Sequence, residues 1–207
     1  MNRILHLIAS PRGESSRTLA LSKVLITRML DKFPSAILDE FNVFSEHLPE
    51  MAHDTISGKY LLMGGKKLPT ELQRFWKEVE AHINRFLAAD TIVLSVPMWN
   101  FGIPYKLKHY LDVIVQPRYL FKYSEKGVEG LAVNKKLFIV STRGGDYSEN
   151  SPVRGMDFVE PYLKAVFGFI GISNFEIINA QPLDSAGEEG MKKNFDIGLE
   201  KIKKVAI

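Results

Sequence analysis

The sequence has no cysteine, which excludes disulfide bonds, thiolate nucleophiles, zinc–thiolate sites and iron–sulfur clusters. It has no run of five basic residues and a net charge of only +3, so nothing favours a nucleic-acid-binding surface. No apolar stretch approaches about 18 residues and no charged-then-apolar leader opens the chain, so we expect no membrane span and a cytoplasmic location. The histidines are scattered without an H-E-x-x-H pattern, and we therefore expect no metal site.

The composition is that of a globular protein with a substantial core. Of the 207 residues, 45% are hydrophobic and 25% charged, which predicts one domain spanning residues 1–207. Apolar, strand-like runs alternate with segments of helical periodicity, and this alternation predicts an α/β fold with a parallel sheet between helices. The predicted strands cover residues 3–8, 36–43, 91–96, 137–141 and 175–180.

Two intervals lack a clear period. Residues 45–68 contain scattered apolar side chains between glycines and are predicted as a long loop. Residues 119–135 are irregular and are predicted to hold a hairpin. The partial alternation of residues 36–43 predicts an edge strand. His6 lies within the first strand, where we expect a packed core residue rather than a ligand.

The first loop, residues 10–18, joins the first strand to the first helix. It is rich in hydroxyl and basic side chains, namely Ser10, Arg12, Ser15, Ser16, Arg17 and Thr18. Unpaired backbone N–H groups and the positive end of the helix dipole make such a helix start an anion site. Serine and threonine are also ordinary helix caps, and from this loop alone a plain cap is an equal alternative.

The second loop, residues 97–104, lies between two prolines after the third strand. It carries Trp99, Asn100 and Phe101, so it offers two rings, an amide and free N–H groups to a flat ligand. The alternative is a proline-bracketed turn whose two aromatic side chains fill the core. No G-x-S-x-G motif occurs, so Ser10 is not an evident nucleophile.

The third loop, residues 142–147, contains Gly144 and Gly145, which permit a close backbone approach to a ligand. A plain tight turn is the alternative. All three loops follow apolar strands, and ligands of open α/β sheets bind beyond the carboxyl ends of the strands. A phosphate site beside two ring-binding loops fits flavin mononucleotide (FMN). The motifs G-x-x-x-x-G-K-[ST] and G-x-G-x-x-G are absent from the first turn, which disfavours nucleotide hydrolases and dinucleotide-binding dehydrogenases.

The order and spacing of these segments resemble the FMN-dependent NADH:quinone oxidoreductase and NADH-azoreductase family. The resemblance covers most of the chain. It is carried by residues 10–18, 97–101, 103–104, 107–108, 121–123, 127, 129–131, 135–136, 142–145, 161–163 and 169–172. The sequence has Trp99 where the family usually has tyrosine, and Thr142 where it usually has serine.

The resemblance implies a flavodoxin-like three-layer sandwich with a five-stranded parallel sheet, tightly bound FMN, and a homodimer with active sites at its interface. It also implies two-electron reduction of quinones and azo compounds by NADH or NADPH, for which we expect a ping-pong cycle. The implied phosphate ligands are Ser10, Ser16, Arg17 and Thr18. The implied ring contacts are Pro97, Met98, Trp99, Asn100, Phe101, Thr142, Arg143, Gly144 and Gly145.

The catalytic expectations concern the flavin rather than a side-chain nucleophile. Asn100 is the candidate for tuning the flavin ring. The acceptor-pocket candidates are Phe121, Tyr123, Tyr147 and Phe169, and core or interface packing is an equal alternative for each. A flavodoxin-type electron carrier and a non-catalytic flavin-binding module are the alternative functions. Carriers of that type tend to be acidic, unlike this chain.

Overall fold

The computed structural model describes residues 1–207 and contains seven strands and six α-helices. The strands are β1 (Arg3–Ile8), β2 (Ile37–Asn42), β3 (Thr91–Pro97), β4 (Phe121–Ser124), β5 (Gly127–Gly130), β6 (Lys136–Thr142) and β7 (Asn174–Ala180). The helices are α1 (Arg17–Lys32), α2 (His53–Met63), α3 (Thr70–Leu87), α4 (Tyr105–Ile114), α5 (Val159–Phe169) and α6 (Gly187–Lys204).

The main sheet has five parallel strands in the order β2-β1-β3-β6-β7. This is the order of a flavodoxin-like fold, with the reversal of direction between β1 and β3. The prediction of the fold and that of an edge strand at β2 are confirmed. Strand β3 reads as a continuous apolar run because it is central and covered on both faces.

Helices cover both faces of the sheet. Alternate residues of β1 point to opposite sides: Leu5 and Leu7 enter the larger core with α2 to α5, whereas Ile4 enters the smaller core with α1 and α6. No helix of the structure combines the length and the apolar character needed to cross a bilayer.

The prediction of a long loop over residues 45–68 is wrong, because that interval contains α2. The buried face of α2 consists of Thr55, Gly58 and Leu62, and only the last of these gives an apolar signal in the sequence. Gly58 lies against the indole of Trp76 on α3, where a side chain would collide with the ring. The helical period is therefore hidden by a close helix–helix contact.

The predicted hairpin within residues 119–135 is confirmed as β4 and β5, which pair antiparallel. It follows α4 and precedes β6, so it lies at the edge of the sheet where β6 begins. There Gly130 packs directly on the backbone of Gly171, and the Ala132 N–H donates to the Ile170 carbonyl over 2.8 Å. The three predicted loops leave the opposite edge, at the carboxyl ends of β1, β3 and β6.

Candidate functional site

The start of α1 offers unused hydrogen-bond donors to the first loop. Ser16 is the N-cap, and its hydroxyl accepts the Leu19 N–H over 3.3 Å, so the capping role of this serine is real. The N–H groups of Arg17 and Thr18 form no hydrogen bond within the protein. A helix start with free N–H groups favours an anion, so the cap and the anion site coexist here.

The three loops meet around one polar cavity of about 220 Å³. All the predicted cofactor residues line this cavity except Asn100, Phe101 and Gly145. The lining also includes Arg12 and Asp184. The hydroxyl oxygens of Thr18 and Thr142 lie 2.5 Å apart across it, and the Met98 N–H donates to the Thr142 carbonyl over 3.0 Å. These bonds join the ends of β1, β3 and β6 into one site.

The charges at this cavity favour an anion. Arg17 forms an ion pair with Asp184, with 2.6 Å between Nη1 and Oδ1, while exposed Arg12 forms no ion pair. Two guanidinium groups therefore face one carboxylate. Asp184 follows the end of β7, and its N–H donates to the Gly144 carbonyl over 2.9 Å. Sequence reasoning missed Asp184, although it too follows a strand end.

The second loop contains a tight left-handed turn. Trp99 and Gly102 exchange both backbone hydrogen bonds, each 2.9 Å long, and Asn100 and Phe101 have φ angles of 45° and 70°. A left-handed phenylalanine is uncommon and stores strain of the kind found at functional sites. Phe101 is 41% exposed, which rules out the alternative that it fills the core.

The third loop holds Arg143 in an unexpected position. Its guanidinium is fully buried, with Nε 2.7 Å from Asp157 Oδ2 and Nη1 donating to Ser141 Oγ over 3.2 Å. This side chain is thus committed to the protein, and Arg143 Nη2 has no partner. Sequence reasoning missed Asp157, which lies 14 residues away in the chain.

The two glycines of the third loop make room for neighbouring side chains. A methyl group at Gly144 would come within 2.6 Å of the Asp184 carboxylate, and one at Gly145 within 3.3 Å of the Tyr147 ring. Neither glycine has a left-handed φ angle. A tight turn therefore does not account for these two glycines. They are explained by the nearby Asp184 and Tyr147 side chains, which leave little room for a larger residue.

The four acceptor-pocket candidates do not form one pocket within a single chain. Phe121 packs on Phe169 and Tyr123, with ring centroids 4.7 and 5.7 Å apart, beside the hairpin at the far edge of the sheet. Tyr147 is separate, with its N–H donating to Gln181 Oε1 over 3.0 Å. A shared acceptor pocket in one chain is therefore excluded, because the hairpin precedes β6 whereas the loops follow the strands.

A more apolar cavity of about 520 Å³ lies on the other side of Trp99. It is lined by Trp99, Asn100, Gly102, Ile103, Tyr105, Lys108, Phe158 and Tyr162. Tyr105 and Phe158, at the starts of α4 and α5, are 65% and 59% exposed. Neither residue was predicted from the sequence, because Tyr105 lies just beyond the second loop and Phe158 lies well beyond the third.

His6 is a fully buried residue, as predicted from its place in a strand. Its Nδ1 lies 2.9 Å from Glu40 Oε1 and its Nε2 lies 2.7 Å from Ser95 Oγ. Burial lowers the pKa of His6, and the hydrogen bond that its Nδ1 donates to Glu40 opposes this effect only in part. His6 is therefore a neutral bridge between neighbouring strands at neutral pH.

Sequence comparison finds close relatives over the whole chain. A family model described as having a flavodoxin-like fold matches residues 2–205. A protein of Nitratidesulfovibrio vulgaris named FMN-dependent NADH:quinone oxidoreductase is 30% identical over 207 residues, covering 100% of this chain and 99% of the relative. A protein of the same name from Ruegeria pomeroyi is 37% identical over 184 residues, covering 88% and 90%.

Comparison with solved structures agrees with the sequence comparison. The crystal structure of an azoreductase from Bacillus anthracis is 27% identical, with a TM-score of 0.88, covering 99% of this chain and 98% of that one. An FMN-dependent NADH-azoreductase from the same species, solved in complex with FMN, is 26% identical, with a TM-score of 0.84 and complete coverage of both chains.

Proposed function

Since the chain belongs to the flavodoxin-like family that includes the FMN-dependent NADH:quinone oxidoreductases, we propose that it is an FMN-dependent oxidoreductase. It transfers two electrons from NADH to quinones and to azo compounds. The observation that carries this function is the polar cavity where the three loops meet, beside free N–H groups and two arginines. The same cavity supports assigning FMN, rather than a larger nucleotide, as the cofactor.

The donor set of the cavity fits a single phosphate. The free N–H groups of Arg17 and Thr18 face the same space as the hydroxyls of Ser10 and Thr18, and Arg12 supplies an unpaired positive charge. Charge-assisted hydrogen bonds of this kind are the strong ones. We assign the phosphate to Ser10, Ser16, Arg17 and Thr18.

The second and third loops would hold the flavin ring. We assign ring contacts to Pro97, Met98, Trp99, Asn100, Phe101, Thr142, Gly144 and Gly145, and to the backbone of Arg143. When bound, FMN supplies the two-electron chemistry by accepting a hydride from NADH and reducing the second substrate. The N–H groups of Asn100 and Phe101 have no partner in the protein, and they can stabilise negative charge at the ring edge.

The apolar cavity beside Trp99 is the proposed acceptor site. Its aromatic lining suits a flat quinone or azo compound that stacks next to the flavin ring. Because Tyr105 and Phe158 are more than half exposed there, we infer that a second copy of the chain covers this surface. In such a homodimer, the cluster around Phe121 could serve the acceptor site only from the second copy.

The dimer can be tested by substituting its exposed aromatic residues. Tyr105→Glu should give a monomer in sedimentation analysis, because a buried charge would oppose association. The matched control is Tyr60→Glu, since Tyr60 is 67% exposed on α2. A monomeric wild-type protein would refute the dimer but leave the cofactor assignment standing.

Steady-state kinetics test the function itself. With NADH and menadione as substrates, the FMN-loaded protein should give parallel double-reciprocal lines, because the oxidised nicotinamide nucleotide must leave before the acceptor enters the same site. Protein stripped of FMN should be inactive until FMN is restored. Bound FMN without turnover would favour the electron carrier or the binding module. We also propose a cytoplasmic location, where NADH is available.

A further inference from the structure

The buried side chain of Asp157 connects two of the three loops without lining the cavity. Its Oδ2 accepts the Nε–H of Arg143 over 2.7 Å, and both side chains are almost fully buried. Its Oδ1 accepts the Val159 N–H over 3.0 Å and so caps the first turn of α5. One carboxylate therefore joins the third loop to the start of α5.

The start of α5 is in turn bonded to the second loop. The Phe158 N–H donates to the Phe101 carbonyl over 2.9 Å. Phe101 is the strained residue of the left-handed turn, and such a conformation persists only where the surroundings hold it. The position of that turn thus depends on the residue that follows Asp157.

Arg143 provides a fixed anchor for this connection. Its N–H donates to the Ala180 carbonyl over 3.1 Å, and its own carbonyl accepts the Leu183 N–H over 3.0 Å, so the end of β7 and the segment after it hold its backbone in place. Ser141, on β6, accepts a hydrogen bond from the guanidinium. A continuous set of contacts runs from β6 through Arg143 and Asp157 to Phe101.

We propose that Asp157 is a positioning residue for the flavin-ring half of the site, acting through Arg143 and Phe101. This inference rests on the proposed function. The phosphate half is built differently, by the start of α1, and Thr18 reaches the third loop through Thr142. The side chain of Asp157 bonds only Arg143, Arg154 and the first N–H groups of α5, so its contacts do not include the phosphate donors.

A comparison of FMN binding with riboflavin binding distinguishes the phosphate half of the site from the flavin-ring half. Asp157→Asn keeps the shape of the side chain but leaves the buried guanidinium without a counter-charge. Misplacement of the turn should weaken binding of riboflavin and of FMN alike, each by about tenfold or more. The ratio of the two dissociation constants, which reports the phosphate contribution, should stay at the wild-type value.

Two further variants keep this test decisive. Glu160→Gln removes an ion pair with Lys164 on the same helix and should leave both affinities unchanged. The double variant Arg143→Met/Asp157→Leu has no unpaired buried charge, so its thermal stability should exceed that of Asp157→Asn. Its riboflavin affinity should remain as low as that of Asp157→Asn. Restored riboflavin affinity would show that Asp157 only neutralises charge.

The dissociation constants are measured by quenching of flavin fluorescence with full-length protein stripped of FMN. Unchanged riboflavin binding by Asp157→Asn, or a changed ratio between the flavins, would overturn the positioning role. Failure of the wild-type protein to bind FMN would instead overturn the proposed function. The two failures are therefore distinguishable in one set of titrations.

Discussion

The hydroxyl groups of Thr18 and Thr142 are hydrogen-bonded to each other over 2.5 Å, across 124 residues of sequence. The two hydroxyls carry two protons, and their mutual bond uses only one of them. The other remains available for an acceptor in the cavity, which suits a phosphate oxygen. This pair therefore links the start of α1 to the end of β6 at the proposed phosphate site.

Removing the Thr18 hydroxyl should weaken FMN binding selectively. A hydrogen bond to a charged group contributes about 1.5–3 kcal/mol, so Thr18→Val should raise the FMN dissociation constant roughly 10- to 100-fold. Riboflavin, which lacks the phosphate, should bind as before. Thr18→Ser keeps the hydroxyl and is the control, and an equal loss of both flavins in Thr18→Val would refute the phosphate assignment.

Replacing Phe101 should separate stability from ring binding. Asparagine tolerates the left-handed conformation better than phenylalanine does, so Phe101→Asn should relieve strain and raise the unfolding free energy by up to about 1 kcal/mol. Loss of the exposed ring should weaken riboflavin binding at the same time. Urea unfolding and flavin titration measure the two effects, and a destabilised variant would contradict the strain argument.

Removing the charge of Asp184 should tighten FMN binding. The Asp184 carboxylate occupies Arg17 in the structure and would repel a phosphate in the same cavity. Because the Asp184 side chain is 71% exposed, Asp184→Asn should lower the FMN dissociation constant only about two- to fivefold, and less at high salt. Glu14→Gln, which removes an acid paired with Lys23, is the control. Weaker FMN binding would mean that Asp184 orients Arg17 instead.

The buried imidazole of His6 predicts a pH dependence of folding. Burial lowers the pKa of folded His6, Lys23 adds repulsion, and the nearby Glu40 opposes both effects only in part. Below about pH 6.5 the unfolded chain therefore binds a proton at this histidine more readily than the folded chain does. The unfolding free energy should therefore fall as pH drops below about 6.5.

The variant His6→Gln tests that origin, since an amide can still contact both Glu40 and Ser95. Its stability should depend less on pH in this range than that of the wild type, as measured by urea unfolding. The exposed His53 gives the control His53→Gln, which should follow the wild type. Equal slopes for all three proteins would place the pH dependence elsewhere.

The strands were predictable because a parallel sheet buries both faces of its central strands. The segments around Ile4, Val93 and Ile139 are therefore mostly apolar runs with visible ends, interrupted by His6 in β1 and Ser95 in β3. Helix α2 was hidden because its buried face uses Gly58 and Thr55. Local patterns report apolar burial, and they do not report a close contact between backbones.

The site was predictable only in its backbone framework. Polar loops after apolar strands located the cavity, since parallel strands bring their carboxyl ends together. The sequence could not reveal that Asp157 accepts a hydrogen bond from the guanidinium of Arg143. Nor could it reveal that Asp184 pairs with Arg17, 167 residues away in the chain. Such pairings depend on tertiary contacts between distant segments, and they decide which arginine faces the ligand.

The proposed function requires the polar cavity to bind FMN for two-electron transfer from NADH. Its most direct test is the absorbance spectrum of the purified, FMN-loaded protein during an anaerobic titration with NADH. About one equivalent of NADH per bound flavin should bleach the visible flavin band, and a quinone should restore it. A protein that retains no flavin, or whose flavin band is unchanged by NADH, would contradict this function.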